Sequence, residues 1–153
     1  MTFSIADKLE NVRARIQKTT IALKRIPNSV HLLGISKKHN AESLYEALKF
    51  GLCDFGENYL NEALAKQVSL KNICTEEEYA SVIWHFTGPI QSNKTRLIAE
   101  NFSWVHTLER SKIVQRLNEQ RPLDLPPLNC CIQVNIDEEA SKSGVLLENV
   151  EVL

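Results

Sequence analysis

Val30-His31-Leu32-Leu33-Gly34-Ile35-Ser36-Lys37-Lys38 decides how the chain is read. Residues 30–35 form a short, apolar, partly β-branched run, and Asn40 and the helix-prone segment Ala41–Phe50 follow closely. A run this short, so near a helix start, reads as a buried parallel strand. Its carboxyl end delivers two lysines into a loop. In α/β architectures strand ends and helix starts converge on that edge, and ligands bind there. A lysine partly desolvated at such an edge has a lowered pKa, and its amine becomes a nucleophile for carbonyls. The alternative is that Lys37 and Lys38 are solvated loop charges.

Upstream of this stretch, Ser4 with Asp7 three residues on marks a helix start of the capping-box kind. Ile5, Leu9, Val12, Ile16 and Leu23 supply an apolar stripe, and Pro27-Asn28-Ser29 closes the helix. Downstream, Asn40 is the expected N-cap of the second helix and Gly51 its left-handed C-terminal residue. Residues 52–58 then read as a second strand ending in a polar tip, with a helix from Asn58 to about Val68. Thr75-Glu76-Glu77-Glu78 suggests a short capped helical turn. A third strand runs over 81–87 to Gly88-Pro89, and Ser92-Asn93-Lys94 opens a helix to Asn101. A fourth strand covers 102–108 and a helix 110–119. The fifth and clearest strand covers 129–136, a polar loop 137–144, and the start of another helix 145–153.

A leading helix followed by five strand–helix units, with no linker between them, argues for a parallel α/β sheet. Periodicity leaves two architectures open. One is a complete five-stranded doubly wound sheet. The other is the first part of an eight-stranded α/β barrel, a fold that typically needs about 250 residues.

Composition bounds the function. The chain has 153 residues, 18 basic against 19 acidic, for a net charge of -1. That balance shows no electrostatic footprint for nucleic acid or anionic membrane. The charged residues throughout 7–15 leave no signal-peptide apolar core, and no apolar run approaches membrane-spanning length. Cys53, Cys74, Cys130 and Cys131 make no C-x-x-C pair, and they read as buried free thiols in a reducing cytoplasm.

Glycine-rich phosphate loops are absent. His31, His39, His85 and His106 show no metal-ligand spacing. His85, beside Trp84 near a strand end, faces either the core or a ligand. Asn58 closes the second strand on the same edge as Lys37, where it either hydrogen-bonds a ligand oxygen or caps the next helix. Lys142-Ser143-Gly144 is either an anion site or a polar turn.

Four stretches, taken in order, resemble one family. They are Leu33-Gly34-Ile35-Ser36-Lys37, Phe55-Gly56-Glu57-Asn58-Tyr59, the tract Trp84–Lys94 (Trp-His-Phe-Thr-Gly-Pro-Ile-Gln-Ser-Asn-Lys), and Ser141-Lys142-Ser143-Gly144. Together they are similar to the YggS-type pyridoxal phosphate homeostasis proteins. The resemblance implies a single alanine racemase N-terminal-like TIM (β/α) barrel over 1–153, of which about the first five strand–helix units are present. It implies binding of pyridoxal 5'-phosphate (PLP) through a Schiff base with Lys37, the lysine directly after the strand and its serine. Asn58 and His85 fall on strand ends that line such a pocket. The implied role is a non-catalytic cytoplasmic carrier that buffers PLP and delivers it to apo forms of PLP-dependent enzymes. Two alternatives stay open: a truncated remnant that no longer binds PLP, and a fold-type III PLP enzyme such as an amino-acid racemase. Family members are longer, and the resemblance places their phosphate grip in the last three barrel strands, beyond the residues present here.

Overall fold

A computed structural model describes residues 4–139 and 141–153. The elements alternate as the sequence pattern requires: α1 Ile5–Ala22, β1 Gly34–Ile35, α2 Ala41–Lys49, β2 Asp54–Glu57, α3 Leu60–Ile73 and the short α4 Glu76–Ala80. They continue with β3 Ile83–Phe86, α5 Thr95–Asn101, β4 Trp104–Leu108, α6 Ser111–Gln120 and β5 Asn129–Ile132. The five strands form one parallel sheet in the order β1-β2-β3-β4-β5. This sequential order settles the architecture. A doubly wound sheet reverses its strand order at a switch point, and no reversal occurs here. Strands that each step one place the same way are those of a TIM barrel. The doubly wound alternative is therefore set aside for five strands of a barrel-like sheet that is not closed.

Local chemistry explains where the helices start. Ser4 and Asp7 close a reciprocal capping box at α1, with Asp7 N donating to Ser4 Oγ at 3.1 Å and Ser4 N to Asp7 Oδ2 at 3.0 Å. Thr75 and Glu78 do the same at α4. Asn40 Oδ1 accepts from Ser43 N at 3.1 Å and caps α2. Past the end of α2, Gly51 takes φ +77 and its N–H donates to Leu48 O at 2.8 Å. A left-handed residue is what stops a helix in this way, and glycine adopts it without steric cost. Arg13 of α1 then donates to the carbonyls of Phe50 and Gly51 at 2.6 and 2.7 Å, placing a cation on the negative end of α2.

The core lies between the helices and one face of the sheet. Phe55, Trp84, Phe86 and Val105 from the strands pack with Leu44, Leu48, Leu60, Leu70, Ile98, Ile113 and Leu117. Each fully buried side chain of this size contributes about 1.5–3 kcal/mol. Residues at the alternate strand positions face the other way. Ile35 is 47% exposed and Ile83 36%, so this helix-free face carries uncovered apolar surface.

The edges depart from expectation. The buried strand expected over 30–35 is a two-residue edge strand, because among the described residues β1 pairs only with β2, and Ile35 is 47% exposed. The strand expected over 129–136 ends at Ile132, with no neighbour beyond β4. The chain continues as a single bridge between Val134 and Val145. The helix expected from 145 is a 3-10 stretch, Leu147–Val152. The stripe of α1 is buried only in part: Leu9 is 7% exposed, whereas Leu23 lies past the helix and is 66% exposed. All four cysteines are free, yet none is fully buried and Cys130 is exposed, since it sits on the edge strand β5. Of the loop read over 137–144, residue 140 lies outside the described residues.

Candidate functional site

Lys37 and Lys38 form the turn at the carboxyl end of β1, and both are exposed. The turn is held from behind by a buried polar cluster. Lys66 of α3 is 6% exposed and Glu57 of β2 is fully buried. Lys66 Nζ donates to Glu57 Oε1 at 2.5 Å, to Ser36 O at 2.7 Å and to Glu62 Oε1 at 3.2 Å. Ser36 Oγ donates to Glu57 Oε1 at 2.5 Å, and the Lys38 amide donates to Glu62 Oε1 at 2.6 Å. The residues on both sides of Lys37 are thus tied to side chains of β2 and α3. The Lys38 amide, with Lys66, holds the Glu62 carboxyl below the usual carboxylate range. Lys38 sits at φ +65, where the chain leaves the sheet.

The register places the other candidates. Ile35, Gly56, His85 and Trp104 are direct neighbours across β1 to β4. Two residues beyond these come Lys37, Asn58, Thr87 and His106, a row past the paired residues of β1 to β3, with Lys37 in the turn closed by His39 N donating to Ser36 O. Of the four, His106 lies within a strand, and the contact of its ring with His85 puts it on the helix-free face. Asn58 does not cap α3, which starts at Leu60 with no side-chain cap. Its Oδ1 accepts from Thr87 Oγ1 at 2.8 Å. The two loops approach so closely that a Cβ on Gly88 would stand 2.0 Å from Asn58 O. Only glycine permits that approach.

His85 is 6% exposed, and both its ring nitrogens are engaged. Nε2 lies 3.0 Å from Asp54 Oδ1 and Nδ1 lies 2.9 Å from His106 Nε2. Trp104 stacks on the imidazole at 5.7 Å with the rings 9° from parallel. Burial pulls the His85 pKa below the ordinary imidazole value despite the opposing pull of Asp54. Burial and the neighbouring His85 lower that of His106.

The structure thus brings Asn58 and Thr87 together, and His85 and His106. It adds Thr87, His106, Asp54 and the Glu57–Lys66–Glu62 cluster to the residues read from sequence. The anion reading of 142–144 is not supported. Lys142 Nζ is paired with Glu139 Oε2 at 2.6 Å, and the Gly144 amide donates to Glu109 Oε2 at 2.9 Å. With carboxylates facing both Lys142 and the Gly144 amide, the segment takes the polar-turn form. Among the described residues no group of acidic, histidine or cysteine side chains could hold a metal ion. No helix among them is long and apolar enough to cross a membrane.

Comparison with known proteins shows what the chain is similar to. A pyridoxal phosphate homeostasis protein of Pseudomonas aeruginosa is 52% identical over 150 residues, 98% of this chain and 62% of that protein. The chain is thus similar, over nearly its whole length, to pyridoxal phosphate homeostasis proteins. It spans about three fifths of the length of that relative. PipY of Synechococcus elongatus PCC7942, solved without PLP, superposes with a TM-score of 0.79 at 30% identity, covering 97% of this chain and 62% of PipY. PipY with PLP bound superposes with a TM-score of 0.62 at 33% identity, covering 76% of this chain and 48% of PipY. No protein-family model matches the chain. PipY continues past the matched part.

Proposed function

We propose that this chain binds PLP and serves in its homeostasis as a carrier or buffer rather than as a catalyst. The observation that carries the reading is Lys37. It stands on a turn tied down on both sides, at the strand ends where Asn58, Thr87 and His106 also lie, in a chain similar to PipY, which has been solved with PLP. PLP supplies an aldehyde, an electrophile suited to a lysine amine. The chain's own part is to present that amine at the mouth of the sheet and to surround it with hydrogen-bonding groups. The Asn58 amide lines the site directly, and His85 acts through His106. The carrier role follows the names of the relatives, which describe homeostasis and no reaction. A cytoplasmic setting fits the four free thiols, and the recipients are apo forms of PLP-dependent enzymes.

A specific observation favours a second reading, a chain that has lost its grip on the cofactor. The helix-free face is open, with Ile35 and Ile83 partly exposed, and carboxylates face both Lys142 and the Gly144 amide. One experiment separates the two. The protein is incubated with PLP at near-stoichiometric concentration, reduced with borohydride and mapped by peptide mass beside Lys37→Ala. Selective labelling of Lys37 is the expected result. Equal labelling of Lys37, Lys38 and remote lysines would assign the chain to the second reading.

A further inference from the structure

The hydrogen positions in the Asp54–His85–His106 chain follow by elimination. A carboxylate only accepts, so the proton shared with Asp54 Oδ1 sits on His85 Nε2. A neutral imidazole carries one proton, so His85 Nδ1 is a bare acceptor. The contact at 2.9 Å is then a donation from His106 Nε2–H to His85 Nδ1. That leaves His106 with a bare Nδ1. Among the described residues this atom has no hydrogen-bond partner, and the ring is only half-buried. Trp104 stacks on the His85 ring and lies 5.9 Å from that of His106.

We infer that Asp54 and His85 are positioning residues that lock the tautomer of His106, so that its Nδ1 accepts a hydrogen bond from an N–H or O–H donor on the ring of the bound ligand. The inference rests on the preceding reading for the identity of that ligand, PLP. Its structural basis is separate: Phe86 pairs with Val105, so His106 and Thr87 are the next residues on β4 and after β3, toward the strand ends where Asn58 and the Lys37 turn lie. Lysine supplies only donors, and the Thr87 hydroxyl proton is given to Asn58 Oδ1 and Glu57 O. His106 Nδ1 is a neutral acceptor that makes no such bond among the described residues. A lock through Asp54 fixes an acceptor rather than leaving the ring to interconvert between two tautomers.

The test is two-bond proton–nitrogen correlation spectroscopy of the full chain labelled with 15N-histidine, near neutral pH, with and without PLP. Without ligand, both His85 and His106 are expected in the Nε2–H form, with Nδ1 of His106 unprotonated. PLP is expected to move the His106 Nδ1 resonance while the exposed His31, before β1, stays in place. Asp54→Asn, whose amide can donate as well as accept, is expected to mix the tautomers of both rings and to weaken PLP binding about five- to tenfold, the loss of one hydrogen bond. A protonated Nδ1 on His106 in the free protein overturns the inference. So does an unmoved Nδ1 at saturating PLP. Borohydride mapping of the same sample then says which reading failed: Lys37 labelled with Nδ1 unmoved sinks the His106 role alone, and Lys37 unlabelled sinks the PLP reading too.

Discussion

Lys66 Nζ lies 2.5 Å from Glu57 Oε1 and both side chains are sealed from solvent, so the two charges depend on each other. Removing one partner of a buried pair leaves the other charge uncompensated, whereas replacing both by apolar groups is often neutral. Lys66→Met is therefore expected to destabilise the fold by about 3–5 kcal/mol. The double variant Glu57→Leu/Lys66→Met should recover much of that loss. Urea unfolding of the two variants checks this, and strictly additive losses would remove the case for coupling. Because Lys66 also holds Ser36 O, hydrogen exchange at Lys38 should speed up in the single variant.

Gly88 marks where the β2 and β3 loops meet. An alanine Cβ there would fall 2.0 Å from Asn58 O and 2.7 Å from its carbonyl carbon, both backbone atoms. No rotamer change relieves such a clash, so one loop must shift. Gly88→Ala is expected to cost about 3 kcal/mol, at the upper end for overpacking, and to break the Thr87–Asn58 hydrogen bond. Thermal melting measures the first effect. A loss below about 0.5 kcal/mol, ordinary for a surface change, would mean the loops are not held together.

The order of the elements was legible because each apolar run is bounded by turn and cap chemistry. Ser4 with Asp7, Thr75 with Glu78, Asn40 and Gly51 all act where the pattern placed them. Strand lengths at the two edges were not legible, since a strand extends only as far as it has a partner, and Val30 and Ile136 have none. The buried cluster left a weaker trace. Lys66 and Gln67 share a stripe with Leu60, Ala63 and Leu70 on α3, and polar residues on the buried side of a helix call for partners. The His85–His106 contact was readable in principle too. His85 and His106 occupy strand positions that face away from Phe86 and Val105. Which neighbour each ring meets depends on register, and one sequence alone does not supply register.

The same two histidines set a pH dependence. Burial makes His85 and His106 bind protons less readily when folded than when unfolded, where the value is near 6.5. The unfolded chain therefore takes up protons first as the pH falls. Stability is complete above about pH 6.5 and drains away below it, through the lowered folded values. The melting temperature should fall from pH 7 to pH 5, and the slope should shrink in a His85→Gln/His106→Gln variant. A variant slope equal to that of the parent would place the titrating groups elsewhere.

Lys37 itself should matter for ligand and not for fold. Its side chain is exposed, and among the described residues it makes no hydrogen bond or ion pair, so Lys37→Ala should change stability by no more than about 0.5 kcal/mol. A ligand that binds only the native state raises apparent stability by mass action, by about 2.7 kcal/mol at a hundredfold excess over Kd. PLP should then raise the melting temperature of the parent chain and leave Lys37→Ala nearly unmoved. Lys38→Ala, one residue further round the turn, is the matched control and should keep the PLP-induced rise. Should both lysine variants respond to PLP as the parent does, the nucleophile is some other amine and the row of Lys37, Asn58, Thr87 and His106 is not where the cofactor attaches.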